Sequence, residues 1–95
     1  MRIRVVATIT AKPGKAEDTK ILLDSLIDPT RVEDGCHEYV LHSSVENDHE
    51  FVFIEEWESQ AHLDAHLATP HLEAAFPKFD ELADSVVIKV YHRVR

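Results

Sequence analysis

Cysteine is nearly missing from this chain. Cys36 is the only one in 95 residues, so no disulfide can close within it, and a reducing, cytoplasmic setting is the expectation. Long hydrophobic runs are missing too. The apolar stretch from Ile3 to Ile9 is too short to span a bilayer and lacks the shape of a signal peptide. Basic residues are few, ten against eighteen acidic ones, and they do not cluster. A net charge of −8 spread along the chain argues against nucleic acid and against anionic membrane surfaces as partners. What is present is an ordinary globular balance, 44% apolar and 29% charged, with room for one core, so residues 1–95 are expected to form one domain. A core of that size gives modest stability, and oligomerisation is one way to add buried surface.

Residues 3–11 are rich in β-branched side chains and read as a strand, broken by Lys12-Pro13-Gly14. From Ala16 to Ile27, positions 19, 22, 23, 26 and 27 follow the spacing of an amphipathic helix, and Pro29 is expected to end it. A turn through Asp34-Gly35 leads into two strands, 36–46 and 50–58, joined tightly around Asn47-Asp48-His49. Ser59 is placed to cap a helix, and Thr69-Pro70 marks a second start with proline at the first helical position. Residues 72, 75, 76, 79, 82 and 83 form an apolar stripe in which Pro77 predicts a kink or break. Residues 85–94 are the last strand.

The order β-α-β-β-α-β is that of an α+β, ferredoxin-like sandwich with an antiparallel four-stranded sheet. Its helices cover one face of the sheet only. Neighbouring pairs such as Val5-Val6, Phe53-Ile54 and Val86-Val87 put apolar side chains on both faces. The uncovered face is therefore apolar as well, which predicts a homodimer packed through its sheets.

The segment from Glu55 to His71 carries the only tryptophan, three histidines and a strand-to-helix junction where a pocket commonly opens. Three motifs stand in and around it: Gly35-Cys36-His37-Glu38-Tyr39, Glu55-Glu56-Trp57-Glu58-Ser59, and Ala65-His66-Leu67-Ala68-Thr69-Pro70-His71. With them the chain resembles the antibiotic biosynthesis monooxygenase family of small dimeric α/β-barrel proteins, most of all its bacterial quinol monooxygenase branch. The resemblance implies a cofactor-independent monooxygenase that oxidises a quinol or related polyphenol with O₂, using no metal and no flavin. Such chemistry needs a proton acceptor working near neutral pH and a dry aromatic cavity. By the same resemblance His66 is the proton acceptor, Trp57 a wall of the cavity and Glu55 a group that orients or polarises a neighbour. Tyr39, His71 and Phe53 are the expected substrate contacts. Haem-degrading relatives place an axial histidine where this chain has Phe76, so haem degradation is not expected.

The same residues admit plainer roles. Trp57 can be core, His66 a buried imidazole held by a backbone carbonyl, and His71 a helix cap. Glu55 either faces inward and must find a partner or faces solvent and says nothing. His62 and His66 have the i, i+4 spacing of a metal pair, but no third ligand stands at an obvious position and no metal is expected. Cys36 and His37 point to opposite faces of a strand and cannot act as nucleophile and base together. Two other functions remain open for the same pocket. One is isomerisation of a small dicarbonyl compound, phosphorylated or not, and for a phosphate Lys20, Arg31, Lys78 and Lys89 are the few available cations. The other is non-catalytic binding of an apolar metabolite.

Overall fold

The structure, a computed structural model, describes residues 1–95. Its elements are β1 (Ile3–Ala11), α1 (Ala16–Ser25), α2 (Ile27–Arg31), β2 (Cys36–Ser43), β3 (Glu50–Trp57), α3 (Gln60–Leu67), α4 (Pro70–Leu82) and β4 (Ala83–Tyr91). The strands form one antiparallel sheet in the order β2-β3-β1-β4. This is the ferredoxin-like arrangement expected from the sequence, with each helical unit divided in two.

Burial alternates strictly along β1 and β3, as period-two side chains require. Register then builds the core: Ile3 lies opposite Trp57, Val5 opposite Glu55, Ala7 opposite Phe53 and Ile9 opposite Phe51. These inner residues pack against Leu22, Leu23 and Leu26 from the first helical unit and Leu63, Leu72, Ala75 and Phe79 from the second. On β2, a register irregularity between Cys36 and Glu38 brings Tyr39 opposite Glu55. The extra residue of a bulge turns Tyr39 onto the inner face, in line with Cys36 opposite Trp57.

Several boundaries differ from expectation. The first helix stops at Ser25 and a second begins at Ile27, so Pro29 does not end a helix. It occupies the first turn of α2, where its missing N–H would be unpaired in any case. Pro77 does not break α4, which runs from Pro70 to Leu82. Pro77 and Glu73 are both exposed, so the carbonyl that loses its partner is open to water, while Leu72, Ala75 and Phe79 hold the helix to the core. Ser59 caps α3 by accepting a bond from the His62 N–H at 3.3 Å, as expected. Thr69 stands at the cap position of α4, but its hydroxyl instead donates to the His66 carbonyl at 2.7 Å. The hairpin is looser than a tight turn, since β2 ends at Ser43 and the Ser44 hydroxyl accepts from the N–H groups of Glu46 and Asn47.

β4 is the least covered strand. Val86 and Ile88 pair with Ile9 and Ala7 and so face the helices, yet they remain 40% and 43% exposed. On the opposite face Val6, Val52 and Ile54 are half-buried and Val87 is exposed, leaving an apolar strip without cover.

Candidate active site

Between the sheet and the helices lies a cavity of about 40 Å³, walled by β1, β2, β3 and β4 below and α1, α3 and α4 above. Its lining is apolar apart from Glu55 and His66. Tyr39 and Phe53 form part of the floor, their rings stacked at 4.3 Å between centroids. Phe76, Val86 and Ile88, each about two-fifths exposed, stand at the solvent side.

His66 is 2% exposed, near the end of α3. Its Nδ1 lies 2.8 Å from Glu33 Oε2. A carboxylate oxygen only accepts, so this nitrogen carries the proton, and the lone pair is left on Nε2, which has no protein partner. His66 lines the cavity while Glu33 does not, so the free nitrogen is the one available on the cavity side. Burial pushes the imidazole below its ordinary range, against the Glu33 bond and charge that pull it up, and the neighbouring His71 adds to the lowering. The ring is therefore neutral at physiological pH and able to accept a proton.

Glu55 is 4% exposed and receives the Trp57 indole N–H at 2.8 Å. Burial pushes its carboxyl up to about 7, the indole bond working in the other direction and the Glu33 charge adding to the rise. The inward alternative left open by the sequence is the one realised, with Trp57 as the partner that a buried carboxyl needs. At neutral pH this group can accept or donate a hydrogen bond. Tyr39 sits edge-on to His66 at 5.5 Å, and burial, followed by the Glu55 charge, pushes its phenol far up, so it stays neutral.

Trp57 and His71 lie elsewhere than expected. Trp57 is fully buried and does not line the cavity. It is core, its ring 4.6 Å from that of His66, so it backs the imidazole on one side and holds Glu55 on the other. His71 is also outside the lining. Its Nε2 donates to the same Glu33 oxygen at 2.9 Å and lies 3.2 Å from the Thr30 hydroxyl. Glu33 is the residue that sequence reasoning missed. It sits in the connection between α2 and β2, with no periodicity or motif to mark it, and only the fold brings it to two histidines 33 and 38 residues away.

The remaining candidates resolve simply. The His62–His66 pair does not converge, because His62 turns to the Ser59 hydroxyl at 2.7 Å and to Asp34 at 3.3 Å. Burial, with the Glu33 and Glu55 charges, pushes the Cys36 thiol up to about 11, so it is not a thiolate near neutral pH. No lysine or arginine lines the cavity. Arg31, one of the few cations a phosphorylated substrate could use, instead donates through Nε and Nη2 to the Tyr39 carbonyl, at 3.1 and 3.0 Å.

Known proteins share this fold. The chain is 37% identical over 90 residues to the protein sll1783 of Synechocystis, a match that covers 94% of this chain and 61% of the length of that one. It is 36% identical over 83 residues to the Escherichia coli protein named "Probable quinol monooxygenase YgiN", covering 76% of this chain and 79% of the other. Among solved structures, PA3566 from Pseudomonas aeruginosa superposes with a TM-score of 0.95 at 35% identity, over 99% of this chain and 95% of that one. Rv0793 from Mycobacterium tuberculosis superposes at 0.94 with 31% identity, over 100% and 97%. Residues 2–78 match the family model described as antibiotic biosynthesis monooxygenase. With that match over most of its length, and with the sheet, helices and cavity in place, the chain belongs to the antibiotic biosynthesis monooxygenase family.

Proposed function

We propose that the protein is a cofactor-independent monooxygenase acting on a quinol or related polyphenol. The observation that carries this reading is the state of His66, a neutral imidazole whose Nδ1 proton is tied to Glu33 and whose other nitrogen borders an apolar cavity. His66 Nε2 takes the proton of one hydroxyl group, and Glu55, across the same indole, meets a second oxygen of the substrate. The resulting anion gives electrons to O₂ in a cavity that holds water away from the intermediates. One oxygen atom forms a bond to a ring carbon, the O–O bond breaks, and the other oxygen leaves as water with two protons from the substrate. Quinol and O₂ thus give a hydroxyquinone and water, and the substrate supplies all the electrons.

An apolar cavity that accepts benzene is about 150 Å³, so a ring must displace side chains to enter the 40 Å³ space seen here. Phe76, 41% exposed on α4, is a large side chain at the solvent side with room to swing outward. Support for a quinol also comes from the name of the Escherichia coli relative.

The protein is further read as a homodimer packed through the outer face of its sheet. There Val6 pairs with Ile54, and Val52 and Val87 flank Thr8 from the two neighbouring strands, which together make an apolar strip across three strands. Such a surface is stable in water when covered.

The test is O₂ uptake by chelator-treated protein with a set of reduced quinones, beside His66→Ala. One O₂ consumed per quinol, one labelled oxygen atom in the product, and a rate at least about 100-fold lower in the variant are expected. A rate no higher than autoxidation, or one untouched by the substitution, overturns the reading.

A further inference from the structure

Behind the cavity, Glu33, His66 and His71 bring three metal-type donor atoms together, all within 4.8 Å of one another. They come from three segments: the α2–β2 connection, the last turn of α3 and the first turn of α4. We infer that these three residues form a site for one divalent ion of the zinc type, and that filling it switches off proton acceptance at His66. The first half stands on the donor set alone; the second rests on the proton-acceptor role proposed above.

Two imidazole nitrogens and one carboxylate oxygen are a donor set that zinc and its neighbours take readily. Metal–ligand bonds of 2.0–2.1 Å place tetrahedral ligands about 3.3 Å apart. Here Glu33 Oε2 is 2.8 Å from His66 Nδ1 and 2.9 Å from His71 Nε2, while the two nitrogens lie within 4.8 Å of each other, so an ion entering between them needs the carboxylate to back off by about half an ångström and the imidazoles to close by up to about 1.5 Å. The surroundings hold the donors in place. The Thr69 hydroxyl donates to the His66 carbonyl at 2.7 Å, and the fully buried Thr30 puts its hydroxyl 3.2 Å from His71 Nε2. Access comes from the solvent side, where the Glu33 and His71 side chains are 14% and 22% exposed and a water can complete the coordination.

Neither Glu33 nor His71 lines the cavity, so the ion would sit behind the His66 ring, out of reach of substrate and O₂. Its effect on chemistry is indirect and follows from the imidazole tautomer. In the metal-free site the Nδ1 proton is held by Glu33 and Nε2 keeps its lone pair. Coordination takes the Nδ1 lone pair, so the one ring proton of a neutral imidazole must move to Nε2. The cavity-facing nitrogen then donates where it had accepted. Metal-bound and base forms of His66 exclude each other.

The experiment titrates EDTA-stripped protein with Co²⁺, followed by its visible absorption, and with Zn²⁺ by calorimetry. Circular dichroism checks the fold of every variant. One ion per chain is expected, bound at least about tenfold more weakly by Glu33→Gln and by His71→Ala, and as tightly as the unmodified protein by His62→Ala. In nitrogen-15 spectra of the imidazoles, zinc should move the His66 Nε2 signal from the unprotonated to the protonated class. His71 is part-exposed, so His71→Ala carries the test if Glu33→Gln fails to fold. Absence of binding, or binding that survives both substitutions, overturns the site. If zinc binds and the tautomer switches but metal-free protein consumes no O₂ with quinols, the site stands and the oxygenase reading falls. If metal-free protein does consume O₂ and saturating zinc leaves the rate unchanged, the switch falls.

Discussion

Glu55→Gln should make the protein more stable at alkaline pH and remove part of its pH dependence. Moving a carboxyl from 4.5 to about 7 corresponds to about 3 kcal/mol of preference for its neutral form. Between those two values the folded chain keeps its proton on Glu55 while the unfolded chain has released it. The folded state therefore binds more protons, stability falls as pH rises through the window, and the loss levels off above 7. From pH 5 to pH 8 this one group removes about 2.5 kcal/mol, a large part of the stability of a domain this small. Gln keeps an oxygen for the Trp57 indole N–H and carries no charge to bury. His66 acts with the opposite sign. Its imidazole is pushed below 6.5, so the unfolded chain takes up its proton first and stability falls as pH drops through that range. Subtracting the variant from the unmodified protein at each pH cancels that contribution. Urea unfolding at pH 5, 6, 7 and 8 with EDTA present makes the measurement. The difference in unfolding free energy should grow in favour of the variant by about 2.5 kcal/mol across the series. A difference that stays flat with pH would mean that Glu55 ionises as an exposed carboxylate does, and the reasoning about its burial would be wrong.

Glu33→Gln should lower the turnover of the proposed reaction by about 10- to 100-fold with little change in KM, because the charge that fixes the His66 tautomer is lost while the cavity is untouched; steady-state kinetics check the split. Gly35→Ala should destabilise by about 2 kcal/mol and lower Tm by about 10 °C. Gly35 has φ of +79°, and a Cβ there meets the His62 ring. Calorimetric melting reads that loss. Ile54→Asp places a charge in the middle of the uncovered strip, and light scattering should then give the mass of one chain where the unmodified protein gives two, with the far-ultraviolet spectrum unchanged. Retention of the larger mass would place any interface elsewhere.

Much of this protein was legible in its residues. The β-branched side chains along 3–11 and the apolar run within 50–58 marked two strands, and the structure then set their inner faces, since side chains on a strand point alternately to the two sides. The Ser59 cap, the Thr69-Pro70 start and the apolar stripe of the last helix set where the chain turns. The motifs around Tyr39, Trp57 and His66 pointed to the family that the comparisons then established. These signals are local, carried by the spacing of neighbours and by the chemistry of single side chains.

What periodicity could not reach was decided by packing at a distance. Pro29 and Pro77 were read as breakers, but one fell in a first turn and the other on a solvent-facing side of a helix held down elsewhere. The bulge next to Cys36 turned Tyr39 inward, a matter of register between strands rather than of residue type. Trp57 went to the core and not to the cavity wall, because β3 places it beneath His66. Glu33 had no mark at all. Its importance arises from three segments far apart in sequence meeting at one oxygen atom. The sequence by itself determined the strands, the helical segments between them and their order; the tertiary structure alone decided which carboxylate holds His66, because a hydrogen bond of 2.8 Å between residues 33 apart exists only once the fold has closed the distance.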